Sequence, residues 1–219
     1  MKFKELLKKY SHGILLLYFA LYLPYFFFLN DFTPTRDNIT MMYCNLDDLI
    51  PFCEFFTIPY FLWFGYVAIV YAFLLLADRE EFVRLCIFLY VGMTTCLIIY
   101  TVFPNGQALR IDYDTLGRSN FLIDAIKGLQ ASDSYYDVFP SIHCLNSYAV
   151  HIALAKSKKL GKFKPYVVTV SFVLMVLITL STVFLKQHSV LDIFGAITLA
   201  IPLYLLAYKT KLNFLKKAV

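Results

Sequence analysis

Residues 184–208 read FLKQHSVLDIFGAITLAIPLYLLAY. From Val190 to Tyr208 the only formally charged side chain is Asp192, and the run approaches the roughly 20 residues that cross a bilayer as a helix. An ionisable residue in such a segment is costly and usually functional. His188 stands four residues before Asp192, so a helix carries both on one face. A second stretch, FPSIHCLNS at residues 139–147, opens another apolar run and carries His143.

The rest of the chain has the same character. Of its 219 residues, 60% are hydrophobic and only 16% charged, against about 25% charged in ordinary soluble domains. Six stretches read as spans: about 13–29, 58–77, 82–103, one starting near Pro140 and ending before Lys156, 166–185 and 188–208. The fourth is the shortest and most polar, so it is expected inside the bundle. The predicted fold is all-α: one domain, residues 1–219, of six transmembrane helices in a single bundle. Lysines precede the first span as in a signal peptide, but no small-residue cleavage site follows, so that span is read as an uncleaved helix.

Lysine and arginine positions set the expected orientation. Lys2, Lys4, Lys8 and Lys9 precede the first span, Lys156, Lys158, Lys159, Lys162 and Lys164 separate the fourth and fifth, and Lys209, Lys211, Lys216 and Lys217 close the chain. With six spans these segments share one side, the cytoplasm. The opposite loops are acidic, with Asp31, Asp37, Asp47, Asp48 and Glu54 in one and Asp112, Asp114, Asp124, Asp133 and Asp137 in the other. The expected location is the plasma membrane, with both termini cytoplasmic. His143, His188, Asp192, Arg110 and Lys186 then converge on the external face. The net charge of +5 lies in membrane-flanking loops, which argues against a nucleic-acid partner.

This cluster suits attack on a phosphate ester. Asp192 can accept a hydrogen bond from one ring nitrogen of His188 and leave the other with a free lone pair. An HxxxD pair also suits a plain hydrogen bond between helices. Pro140 is expected at the first helical position of span four. Ser141 and His143 then sit beside unpaired N–H groups, a ready anion site where His143 could act as general acid and base. A histidine solvated at a helix mouth is the alternative. Arg110 and Lys186 offer a planar fork and a point charge for phosphate oxygens, or simply touch headgroups. Arg118 and Lys127 are weaker candidates in the same loop. His151, eight residues past His143, is expected to form a hydrogen bond in the core. Two histidines and an aspartate also suit a metal, but no CxxC or HExxH pattern is present. Cys44 and Cys53 share one external loop and could pair in an oxidising compartment.

At these residues the chain resembles the type 2 phosphatidic acid phosphatase superfamily. FPSIH is similar to its PSGH signature, with Ile142 in place of glycine. STVFLKQHSVLD is similar to SRxxxxxHxxxD, with Ser181, His188 and Asp192 at matching spacing and Thr182 at the arginine position. The KxxxxxxRP signature is faint in FPNGQALR: Arg110 matches, while Phe103 and Ile111 replace lysine and proline. The resemblance implies a membrane-embedded, metal-independent lipid phosphatase with no cofactor. It acts on a lipid phosphate or pyrophosphate at the external leaflet, with a phosphorylated lipid as substrate and membrane lipids as surroundings. His188 would form a phosphohistidine, Asp192 would orient it, and His143 would protonate the leaving group. Arg110, Ser141 and Lys186 would bind phosphate, Lys186 standing in for a missing basic residue. The relaxed signature also resembles the branch of inositol phosphorylceramide synthase and sphingomyelin synthase, which implies a headgroup transferase as the second reading. A lipid- or ion-handling bundle without catalysis is the third. It would spread its ionisable residues through the membrane depth.

Overall fold

The computed structural model describes Glu5 and residues 9–210. Helix α1 is Ser11–Thr35, opening and closing in 3-10 turns. It is followed by a two-residue strand, β1 (Thr40–Met41), and a short helix, α2 (Asn45–Leu49). Next come α3 (Thr57–Ala77), α4 (Arg79–Val102), β2 (Asn105–Gly106) and α5 (Phe121–Ser132). The chain continues through α6 (Ile142–Lys156), α7 (Lys164–Phe184) and α8 (Val190–Tyr204), the last extended by a π-helical turn, Leu205–Lys209. β1 and β2 pair in parallel, Thr40 with Asn105 and Met41 with Gly106. This ties the loop after α1 to the end of α4.

Among the described residues, five helical segments are long and apolar enough to cross a membrane: Ser11–Thr35, Glu54–Ala77, Arg79–Val102, Gly161–Phe184 and Val190–Lys209. The chain is a nearly all-α integral membrane protein. The fourth of the six expected stretches falls short of that length. Helix α6 has 15 residues, about 22 Å at 1.5 Å per residue, against a hydrocarbon core of about 30 Å. Polar groups set its ends. Ser141 caps the start by accepting from Cys144 N. Ser157, just past the end, donates to Asp78 Oδ2 at 2.7 Å.

Being short and polar, α6 lies inside. It packs against α3, α4, α7 and α8 and buries Cys144, Leu145, Ala149, Val150, Ala153 and Leu154. Close approach depends on Gly92 of α4, where a Cβ would lie 2.8 Å from Leu203 and 2.9 Å from Leu145. Helix α1 is peripheral: it leans on α4, with the Tyr18 ring stacked on Tyr90 at 4.1 Å.

One end of the bundle gathers the loops that matter. Tyr100 OH donates to Pro140 O at 2.7 Å, joining the end of α4 to the start of α6. Ser141 N donates to Asp192 O at 3.2 Å, joining α6 to α8. Cys53 N donates to Phe184 O at 3.1 Å, joining the start of α3 to the end of α7. Cys44 and Cys53 are free thiols. Lys2, Lys4, Lys8, Lys211, Lys216 and Lys217, which carry much of the expected cytoplasmic charge, lie outside the described residues.

Candidate active site

His188 lies just before α8, not in its first turn as expected. Ser189 is the N-cap, and Asp192 completes a capping box by accepting from Ser189 N at 3.0 Å. The same oxygen, Asp192 Oδ2, lies 3.0 Å from His188 Nδ1. A carboxylate only accepts, so this contact puts the proton on Nδ1 and leaves the Nε2 lone pair free. The backbone holds the loop as well: His188 N and Gln187 N both donate to Thr182 O. Asp192 is fully buried and His188 only 7% exposed, so the pair is fixed before any ligand arrives.

His143 is in the first turn of α6. Its ring packs between Trp63, at 4.5 Å between centroids, and Tyr60, at 4.9 Å. The His188 ring is 5.9 Å away. Pro140 is not the first helical residue, because α6 starts two residues later behind the Ser141 cap. The reason lies in Asn105, which accepts from Val138 N at 2.9 Å and Phe139 N at 2.8 Å and so holds the approach to Pro140 outside the helix. The Phe139–Pro140 bond is cis. Gly195 leaves room for Phe139, whose ring would lie 2.5 Å from a Cβ there.

Both histidines open onto a cavity of about 400 Å³. One wall is a stripe of α3 (Tyr60, Trp63, Val67, Tyr71) and another a stripe of α1 (Phe19, Tyr22, Phe26). From Tyr60 to Tyr71 is eleven residues, about 16 Å of helix. The cavity is therefore a long aromatic chamber with the histidines toward its Tyr60–Trp63 end.

The three residues expected to bind phosphate do not line it. Ser141 is fully buried and engaged as a cap. Lys186, in a left-handed backbone conformation, donates from Nζ to Asp47 O at 2.6 Å. Burial pushes its pKa down, and Asp47 and Asp48 draw it back up. Arg110 donates to Gln130 O and Ser134 O, each at 2.9 Å, and to Gln187 Oε1 at 3.2 Å. Burial lowers its pKa, partly offset by Asp133. Arg118 is held by Glu54 at 2.8 and 2.9 Å, and Lys127 faces Asp114 at 3.5 Å. His151 Nδ1 is 3.0 Å from Ser171 Oγ.

Three residues carry weight that sequence reasoning did not assign. Gln187 lines the cavity beside His188, is 4% exposed, and has no partner for its Nε2. Asp133 lines the same wall. Asp47 reaches the start of α8, accepting from Ser189 Oγ at 2.6 Å and Val190 N at 2.8 Å. For Gln187 the only available signal was its adjacency to His188. For the two aspartates there was none beyond the acidity of their loops.

Residues 116–216 match the family model described as the PAP2 superfamily, the family that the signatures resemble. Both histidine-bearing signatures fall inside the matched segment, while Arg110 precedes it. No curated protein and no solved structure matches the chain. PAP2 superfamily members are generally phosphatases or phosphotransferases.

Proposed function

Starting from the PAP2-superfamily match over residues 116–216, we propose that this chain is a lipid phosphatase working through a phosphohistidine at His188. The observation that carries the reading is the Asp192–His188 contact at 3.0 Å beside His143, in the wall of an apolar chamber. His188 Nε2 attacks phosphorus, and the bond to the leaving oxygen breaks. His143 supplies the proton to that oxygen, then takes one from the acceptor hydroxyl as the N–P bond opens. Asp192 holds the Nδ1 proton and steadies the charge on the ring. No step calls for a metal ion. The aromatic walls between α1 and α3 suit a hydrocarbon tail, which favours a lipid over a soluble phosphate.

In a second reading the acceptor is a lipid alcohol and the enzyme is a headgroup transferase. The low exposure of His188 and Asp192 favours it, because a dry site limits attack by water. In either reading α6 forms a sixth, short crossing. Its missing length is made up by backbone buried in protein, the setting in which such backbone is tolerated at membrane depth. Both termini then lie in the cytoplasm and the site faces the external leaflet.

The test is purified protein with a panel of lipid phosphates and excess EDTA, following inorganic phosphate and lipid products together. Turnover and a trapped phospho-enzyme are expected with the chelator present, and both should vanish in His188→Ala. A phospho-enzyme that persists in that variant overturns the mechanism. Phosphate release identifies the phosphatase; a new lipid identifies the transferase.

A further inference from the structure

At the end of the bundle opposite the histidines, two cavities meet. One, of about 430 Å³, is lined by Arg84, Lys156, Lys158, Lys159 and Lys209 together with three carboxylates. The other is a groove of about 540 Å³ between α6, α7 and α8 whose lining carries no charged side chain. Tyr204 belongs to both. On α6, Tyr148, Ile152 and Lys156 follow one another at intervals of four and share a face, so one stripe runs from the groove to the basic cavity. On α8, Ile197, Ile201 and Tyr204 form a matching stripe about 10 Å long.

The carboxylates of the basic cavity leave its lysines without a counter-ion. Asp78 accepts from Ser157 Oγ and Glu81 N. Glu80 accepts from Arg84 Nε at 3.2 Å and Nη2 at 2.9 Å. Glu81 Oε2 is shut off from solvent. Arg84 also donates from Nη1 to Ala207 O. Among the described residues no carboxylate lies within salt-bridge distance of Lys156, Lys158, Lys159 or Lys209, and all four are exposed. A cytoplasmic orientation asks for positive charge on this side but not for its convergence on one cavity. Lys156 Nζ lies 5.6 Å from the centre of the Tyr204 ring, which stacks on Tyr208 at 5.4 Å. Tyr208 and Lys209 belong to the π-helical turn Leu205–Lys209, and such turns are frequent at functional sites.

We propose that this junction binds one acidic phospholipid, its phosphate among Lys156, Lys159 and Lys209 and an acyl chain in the groove along α6 and α8. None of these residues lines the histidine chamber, so the site is separate from the reaction and does not depend on the chemistry at His188. A basic pocket between helices at the membrane face is the kind of site that takes an anionic headgroup. The ligand is a lipid rather than a free phosphate, because the groove continues the pocket along the apolar length of the helices. A second copy of the chain fits poorly: two chains inserted the same way and packed by this face bring lysines against lysines. The lipid fastens the two helices whose far ends carry His143 and Asp192, and it stabilises the folded chain by mass action.

In the experiment the full chain, stripped of lipid in a nonionic detergent, is offered phosphatidylglycerol or phosphatidylcholine with identical acyl chains. Native mass spectrometry counts the lipid retained, and thermal unfolding reads the stabilisation. Phosphatidylglycerol should bind about tenfold tighter, the scale set by a few lysines near one headgroup, and the preference should shrink as salt is raised. Combining Lys156→Gln, Lys159→Gln and Lys209→Gln should weaken phosphatidylglycerol about tenfold and leave phosphatidylcholine as it was. Lys162→Gln with Lys164→Gln, in the same loop but outside the cavity, should change neither. Equal binding of the two lipids by the unaltered chain overturns the inference, even if the triple variant fails to fold. A preference that survives the triple variant, or that the Lys162 and Lys164 pair removes equally, overturns it too. Glycerol phosphate that competes as well as the lipid assigns the lysines to a free phosphate. A lipid-free dimer that Ile201→Trp dissociates assigns the groove to a second copy. Either result overturns the lipid site.

Discussion

At the scale of single residues, the two histidines differ in how they are held. His188 is fixed by one carboxylate and by the Thr182 carbonyl, which accepts from its own N and from Gln187 N; His143 is fixed by the faces of Trp63 and Tyr60. Aromatic faces orient a ring without committing either nitrogen, which suits a group that gives and then takes a proton. A general acid matters most when the leaving group is poor. His143→Ala should therefore slow the first turnover of an alkyl phosphate about 100-fold more than that of nitrophenyl phosphate, the lower part of the range for general acid–base assistance. Rapid-mix measurement of the burst checks this. Equal slowing of both substrates would make His143 a packing residue.

At the scale of elements, the start of α8 is the joint on which the site turns. Asp47 of α2 reaches it across 142 residues of sequence and satisfies Ser189 Oγ and Val190 N. It also accepts from Cys44 N at 2.8 Å, which closes a capping box on its own helix. Removing the carboxylate leaves several buried donors without an acceptor, at a cost of about 1–3 kcal/mol for each. Asp47→Ala should lower the unfolding temperature and reduce kcat more than it raises KM, because the strut orients His188 without reaching the cavity. Asp47→Asn keeps an acceptor and should be milder. Thermal unfolding in detergent, paired with steady-state kinetics, measures both effects. An alanine variant as stable and as active as its parent would remove Asp47 from the account.

At the scale of the whole molecule, the charge pattern becomes a topology. The site end gathers the acidic loops, with Asp47, Asp133 and Asp137 near the histidines. The opposite end gathers Lys156, Lys158, Lys159 and Lys209 around Asp78, Glu80 and Arg84. Positive charge stays on the cytoplasmic side during insertion, so the proposed orientation has the histidines outside. A cysteine placed by Ser119→Cys, in a protein with its five native cysteines replaced, should react with an impermeant thiol reagent on intact cells. Labelling that appears only after permeabilisation would reverse the orientation and move the site to the cytoplasmic leaflet.

Helix class, membrane residence and the family signatures were legible because each belongs to contiguous residues. Twenty apolar side chains in a row, or a histidine four places before an aspartate, carry their meaning without reference to anything distant. The boundaries were less legible. The extent of α6 depends on Asn105 holding residues 138–139 and on Ser157 meeting Asp78, contacts made 33 to 79 positions apart. The phosphate-binding residues were the least legible. Arginine and lysine near a phosphate signature read as a clamp, yet folding turns Lys186 and most of Arg110 toward backbone carbonyls and leaves Gln187 and Asp133 facing the chamber. Sequence by itself determined that this chain is a bundle of membrane helices with two histidines and an aspartate in phosphatase-like motifs. Tertiary structure alone decided which charges reach the cavity, because a side chain's direction follows from the partners that burial forces upon it.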